Sequence, residues 1–307
     1  MSGRTLAYEP ARRAEVFALL DRVRGYALDP AEFDWWFDGN PVGPRTIALA
    51  EEDDRVVGVL GASHYQAVVN GAKAIATLPL WAVTDPDFQG RGIFQRLNGE
   101  VERAARETGA ALELGFTNKL AGPIYIAKLG WLDVARLRIW ARPLVPGRNS
   151  GTVPGTVPDA ERAQFVHRQE DAYRAVAPSL ANHFVRDAAY LKWRYVDAPR
   201  AYTLIASRDG YAIVGRKPFK GVQTAYVADL VAPTFGETRW LLRQCVRTAR
   251  GAHVLLALLP ALHRSAYVAS GFLPTPETIR LIGHALEGEL PLGRDAWHFT
   301  LGDTDYF

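Results

Sequence analysis

The stretch Phe88-Gln89-Gly90-Arg91-Gly92-Ile93-Phe94 decides how the whole chain is read. It places two glycines and an arginine between an apolar run and an amphipathic segment. Upstream, Ala74 to Thr84 is mostly apolar and reads as a strand, which Pro86 ends because proline cannot donate to a ladder. Downstream, Phe94, Leu97, Val101 and Ala104 recur at helical spacing, so the glycines open a helix. The first N–H groups of a helix have no partner within it, the helix dipole adds partial positive charge, and glycines let a ligand approach the backbone. A pyrophosphate fits such a turn without a metal. A tight strand-to-helix turn with a glycine in a strained conformation accounts for the same spacing.

After the apolar run Ala110 to Phe116 comes Asn118-Lys119-Leu120-Ala121-Gly122-Pro123-Ile124-Tyr125-Ile126-Ala127-Lys128-Leu129-Gly130-Trp131. Gln89-Gly90-Arg91-Gly92 resembles the Gln/Arg-x-x-Gly-x-Gly/Ala pyrophosphate signature of the GNAT acyltransferase superfamily. The segment from Asn118 to Trp131 resembles its second cofactor motif. Two motifs in this order are more specific than either alone. The resemblance implies an acetyl-CoA or other short acyl-CoA co-substrate, with no metal. It would be held by the strand end Val83 and Thr84, by the loop from Gln89 through Gly90, Arg91, Gly92 and Ile93 to Phe94, and by Asn118 and Tyr125.

The chain departs from the pattern at two positions. The sixth signature residue is Phe94, not Gly or Ala, and its ring is expected to turn into the core. Many members place a proton-donating tyrosine four residues before the Gly-aromatic pair, where this chain has Ile126. Tyr125 is one place early, a rotation of about 100° on a helix. It is a candidate acid if Gly122-Pro123 distorts the helix start.

The 307 residues exceed a usual single-domain size, and 48% are hydrophobic, enough for a substantial core. The net charge of +3 suits an anionic nucleotide without demanding nucleic acid. Cys245 is the only cysteine, so no internal disulfide forms, and its setting suggests a buried helix position. No apolar run has spanning length, and the first residues carry charge without a signal-peptide core. The expectation is a cytoplasmic protein, monomer or homodimer, acting on a small-molecule amine, with no nucleic acid or membrane partner.

Pro143 to Pro158, rich in Pro, Gly, Ser and Thr, reads as a linker between 1–142 and 159–307. The two sides follow one plan. In the first, aromatic Trp35-Trp36-Phe37 precedes strands at Thr46 to Ala50, Val56 to His64 and Ala74 to Thr84, with turns at Asp53-Asp54 and Asn70-Gly71. In the second, Tyr190 to Tyr195 precedes strands at Tyr202 to Ser207, Tyr211 to Gly215 and Thr224 to Val231. Helix, strand and helix follow in both. The expected fold class is α/β (α+β), a tandem GNAT fold of two mixed, mostly antiparallel sheets flanked by helices. Where the first copy has Gln89 to Gly92, the second has Ala232-Pro233-Thr234-Phe235-Gly236-Glu237, whose acidic residue would repel a pyrophosphate. One cofactor site is expected, in the first half.

Acyl transfer to an amine needs a base for the ammonium proton and a donor for the developing oxyanion. In the superfamily the donor is a backbone N–H near the end of the strand before the loop, here Trp81 to Thr84. His64, Asp85 and Glu113 are the candidate bases. His64 titrates near neutrality or is a satisfied strand histidine. Asp85 polarises a water or caps the turn at Pro86. Glu113 has a raised pKa if it faces the core and is an ordinary acid if it faces solvent. Trp297, Phe299 and Leu301 alternate with polar residues and read as a last strand leading to Asp303 and Asp305, which could hold a cationic amine or simply form a terminal turn. Trp36, with Trp35, Trp193 and Tyr195, stacks on substrate or packs the fold. The acceptor class by resemblance is a nucleotide-linked amino sugar. The alternatives are an aminoacyl-tRNA-dependent transferase of similar fold and a non-catalytic acyl-CoA-binding protein.

Overall fold

The computed structural model describes residues 4–25, 27–117, 121–145 and 153–304. Its elements begin with β1 (Arg4–Ala7), α1 (Arg13–Arg24), α2 (Pro30–Phe37), β2 (Thr46–Glu52), β3 (Arg55–Val69), β4 (Ala72–Thr84), α3 (Ile93–Glu107), β5 (Leu112–Thr117), α4 (Ala121–Leu129) and β6 (Leu132–Pro143). They continue with α5 (Arg162–Val176), β7 (His183–Phe184), α6 (Ala188–Leu191), β8 (Thr203–Ala206), β9 (Tyr211–Arg216), β10 (Thr224–Val231), α7 (Phe235–Thr248), β11 (Val254–Leu258), α8 (Arg264–Ala269) and β12 (Leu273–Ala285). Among the described residues no helix is long and apolar enough to cross a membrane.

The chain divides into two compact units. The first comprises Met1–Ala67, Lys73–Asp133 and Leu281–Leu290. Its sheet runs β1-β2-β3-β4-β5 and is completed beside β5 by the last residues of β12. The β2–β3 turn has Asp53 and Asp54 at φ 50° and 57°, and the β3–β4 turn, whose residues 68–72 belong to the second unit, has Asn70 and Gly71 at 51° and 78°. Positive φ at both central residues matches the right-handed twist of the flanking strands. α3 lays Ile93, Leu97 and Val101 on Ala48, Ala50, Val57 and Leu60. Each of these larger buried side chains contributes about 1.5–3 kcal/mol. β4 and β5 are parallel and, among the described residues, share only the pairs Ala76↔Leu112 and Thr77↔Glu113. Both strands run on beyond that point, so their ends part.

The second unit comprises Val68–Ala72, Val134–Arg280 and Pro291–Phe307. Its sheet runs β8-β9-β10-β11-β6 and ends with the first residues of β12. β8, β9 and β10 are antiparallel, β11 is parallel to β10, and β6 is antiparallel to β11. α7 buries Leu241, Leu242 and Cys245 against this sheet. Burial pushes the Cys245 thiol up to about 12, so it is an inert core residue.

The α/β class, with mixed sheets flanked by helices, is as expected. The order β2-β3-β4-α3-β5-α4-β6 recurs as β8-β9-β10-α7-β11-α8-β12. The compact division differs from the expected 1–142 and 159–307 because a strand belongs to the sheet that satisfies its backbone. The place beside β5 is taken by residues 281–285, and the place beside β11 by β6. The expected last strand at Trp297 to Leu301 is a single bridge between Trp297 and Asn182, followed by a 3-10 turn at Leu301–Asp303. Asp303 ends it by folding back onto the N–H and hydroxyl of Thr300.

Candidate active site

The end of β4 carries an unusual backbone. Trp81 sits at φ 60° inside the strand, a conformation that a bulky residue adopts only when its surroundings fix it. Here the ring lies 5.3 Å from Phe37, edge-on, and 5.7 Å from Phe33, while the Arg24 guanidinium lies 5.0 Å away on its face. Such an interruption re-aims the amides next to it.

Asp85 follows, buried, accepting from the Asp87 N–H at 3.1 Å and ion-paired with Arg22 and with Arg55 at 3.0 Å. It caps the turn at Pro86, and two guanidiniums occupy its charge, which leaves it poorly suited to the role of base. Gly90 and Gly92 then take φ 79° and 72°, with open space where a side chain would stand. Gly92 is the N-cap of α3, no side chain caps that helix, and its first turn holds no acid. Arg91 turns aside to Glu52 and to the Asp87 carbonyl, at 3.1 and 3.2 Å. Arg96, one turn into α3, donates to the Arg91 carbonyl at 3.0 Å, and its Nη2 lies 3.6 Å from a carboxylate oxygen of Glu52. Exposed N–H groups, left-handed glycines and a cationic surround together form a cradle for an anion. α7 is the opposite case, because its N-cap Thr234 accepts from the Glu237 N–H at 3.1 Å and Glu237 stands in its first turn.

Of the other expected cofactor residues, Val83 is buried and Thr84 half-buried, with the Thr84 carbonyl 3.5 Å from the Gln89 amide. The Ile93 side chain lies in the core, so only its backbone faces the loop. Phe94 does not enter the main core. Its half-buried ring meets Tyr125 of α4 edge-on at 5.2 Å. Tyr125 is buried between Phe94 and Trp131, the latter 4.5 Å away. Asn118 and Asp305 lie outside the described residues.

The candidate bases separate. His64 is buried, its two ring nitrogens each 2.9 Å from a hydroxyl, those of Thr46 and Thr77, and burial pushes its pKa down to about 4. It lines a cavity of about 460 Å³ with Thr46 and Ala104, beside the C-terminal half of α3 and away from the glycine loop. It is therefore a satisfied core histidine. Glu113 faces inward; burial raises its pKa, and a 3.4 Å contact with His284 Nδ1 partly offsets this. The same contact raises the His284 pKa against the opposing effect of burial.

Two residues expected on the substrate side are structural. Asp303 is buried, receiving Arg186 at 2.7 Å and Tyr190 at 3.0 Å. Its carboxylate is committed before any amine could reach it. Trp36 is likewise buried and packs at 4.6 Å on Trp35. Sequence reasoning missed His284, which reaches Glu113 from 171 residues away, and the left-handed Trp81, for which nothing in the local sequence gives a signal.

Residues 7–132 match the family described as acetyltransferase (GNAT) domain. No curated protein matches the sequence. Among solved structures, the chain resembles a probable N-acyltransferase of unknown function from Enterococcus faecalis V583, with 12% identity and a TM-score of 0.69 over 93% of this chain and 73% of that one. A GCN5-related N-acetyltransferase from Kribbella flavida is similar at 17% identity and a TM-score of 0.68 over 93% and 71%. One from Anabaena variabilis is similar at 12% identity and a TM-score of 0.68 over 92% and 73%. At these identities the likeness is one of fold. The loop and parted strands thus lie inside the segment, residues 7–132, that matches the acetyltransferase (GNAT) domain family.

Proposed function

We propose that the chain is an N-acyltransferase that moves an acetyl or short acyl group from acyl-CoA to a primary amine, with one cofactor site in a duplicated GNAT plan. The observation that carries this is the α3 N-terminus, uncapped, preceded by two left-handed glycines with open space, at the end of a strand that parts from its parallel neighbour. The residues fit the group because the N–H groups that a diphosphate needs are not used by any side-chain cap.

The thioester supplies an activated carbonyl. The amides around Trp81 to Thr84 are the donors for the charge that develops on its oxygen, and losing one such donor costs about 3–4 kcal/mol in other enzymes. We propose Tyr125, on α4 with its ring edge-on against Phe94 of α3, as the group that protonates the leaving sulfur. The narrower proposal for the acceptor, a nucleotide-linked amino sugar, rests on resemblance alone.

Titration with acetyl-CoA and 3-hydroxybutyryl-CoA tests the first step, and thiol release over an amine panel that begins with amino-sugar nucleotides tests the second. One-to-one binding with thiol release for one amine is the expected result. Failure of wild-type protein to bind either thioester overturns the reading.

A further inference from the structure

A second set of chemistry-bearing groups sits in the first unit, away from the glycine loop. Glu102 on α3, Glu113 on β5 and His284 on β12 bring three ligand atoms, each within 4.8 Å of the others. His284 Nδ1 lies 3.4 Å from Glu113 Oε2 and 4.0 Å from Glu102 Oε2.

Four features go beyond chance proximity. Glu113 is only 2% exposed, yet among the described residues its side-chain hydrogen bond is the long one to His284 at 3.4 Å. A buried carboxylate so weakly partnered calls for a cation. Glu102 is oriented: Arg106 holds its Oε1 through Nε at 3.2 Å and Nη2 at 2.8 Å, leaving Oε2 turned to the imidazole. Arg106 is itself fixed to the Leu286 carbonyl at 3.1 Å. This is the outer-shell support that metal-binding carboxylates commonly have. The imidazole is also held in place, stacked on Trp131 at 6.1 Å with 30° between the rings. Gly283 lets β12 lie close to β5, since a Cβ there would stand 2.7 Å from Leu290 and 3.2 Å from the Glu113 carbonyl.

We propose that Glu102, Glu113 and His284 form a binding site for a divalent transition-metal ion of the zinc class. Two carboxylates oppose the charge of the ion, with the guanidinium of Arg106 on the outer oxygen of Glu102, and an imidazole nitrogen favours zinc over magnesium or calcium. Tetrahedral zinc with bonds of about 2.0–2.2 Å places its ligand atoms roughly 3.3–3.5 Å apart. The His284–Glu113 separation already has this value, and Glu102, 4.0 Å from the imidazole and within 4.8 Å of Glu113, has to close in by up to about 1.4 Å. The site lies where the β4–β5 ladder ends, so a bound ion would tie α3, β5 and β12 together at the root of the parted strands.

Chelator-treated full-length protein is titrated calorimetrically with zinc chloride, and its melting temperature is followed with and without zinc. Wild type is expected to bind one equivalent and to melt higher with zinc, but not with magnesium. Glu102→Gln, at a half-exposed helix position that tolerates the change, and Glu113→Gln, which keeps the buried shape, should each weaken binding at least tenfold and remove the thermal shift. The proposal is overturned if wild type binds no zinc, or if both folded variants bind it as wild type does. Neither readout depends on acyl transfer.

Discussion

Replacing Gly92 with glutamate separates an anion cradle from an ordinary tight turn. Gly92 has φ 72°, so any side chain there carries about 1–2 kcal/mol of left-handed strain. A Cβ at this position meets nothing within 4 Å, so no clash is added and the domain should fold. The new carboxylate would stand at the N-cap of α3, where it can accept from the very N–H groups offered to a diphosphate. At about 5 Å from each of two phosphate charges, with an effective dielectric between about 20 and 80, repulsion amounts to roughly 1.7–6.6 kcal/mol. That corresponds to at least about 15-fold weaker binding of acetyl-CoA. Gly92→Ala carries the same strain without the charge, so it should lose similar stability and less than about tenfold in affinity. Calorimetric titration of the three proteins, each checked by thermal melting, reads the difference. If Gly92→Glu folds and binds acetyl-CoA as wild type does, the cradle is not where the cofactor binds.

Asp303→Asn should destabilise the protein by about 3 kcal/mol, because it removes one of the two carboxylates around the fully buried Arg186, and it should leave acetyl-CoA affinity unchanged. A variant of native stability with a raised KM for the amine would return Asp303 to the substrate. Tyr125→Phe should lower kcat with little change in KM or melting temperature; unchanged kcat removes it as the acid. His64 gives an acid window. Its pKa is pushed down to about 4 from 6.5, so only the unfolded chain takes up its proton between those values. Stability is full above pH 6.5, is lost as pH falls, and stops falling on this account near pH 4, a total of about 3 kcal/mol. His183, also pushed down to about 4, adds to the same window. Urea midpoints at pH 7 and pH 5 should show the loss, reduced in His64→Gln; a flat profile contradicts the burial argument.

What the sequence made legible was local. Asp53-Asp54 and Asn70-Gly71 announced their turns because the left-handed conformation they adopt is a property of those residue types. The α3 helix and its glycine loop were legible for the same reason, since periodicity and φ preference act within one or two turns of chain. Asp303 stayed between a substrate role and a terminal turn because nothing near it shows that Arg186 lies 117 residues back. Glu113 was undecided because strand alternation gives two faces without saying which is covered, and the answer came from β12 and α3. The strands beside β5 and β11 follow this logic too. Residues 281–285 and β6 satisfy backbone groups in sheets built from distant sequence, which neither the linker composition nor the repeated plan encodes.

The difference between α3 and α7 explains why a repeated plan should carry one cofactor site. α7 is finished at its own N-terminus: Thr234 supplies a cap worth about 1 kcal/mol, and Glu237 in the first turn adds roughly 0.3–1 kcal/mol against the dipole. α3 forgoes both, with a glycine at the cap and no acid in its first turn. An anion arriving at α3 gains N–H donors that nothing else has taken. At α7 it would have to displace a hydroxyl and overcome a fixed negative charge. Thr234→Gly alone should therefore lower stability by only a few tenths of a kcal/mol, because glycine is itself a fair N-cap, and should create no acetyl-CoA site while Glu237 remains. A second equivalent of acetyl-CoA bound by that variant would mean that the side-chain cap alone closes α7, and that the acid contributes nothing to the distinction.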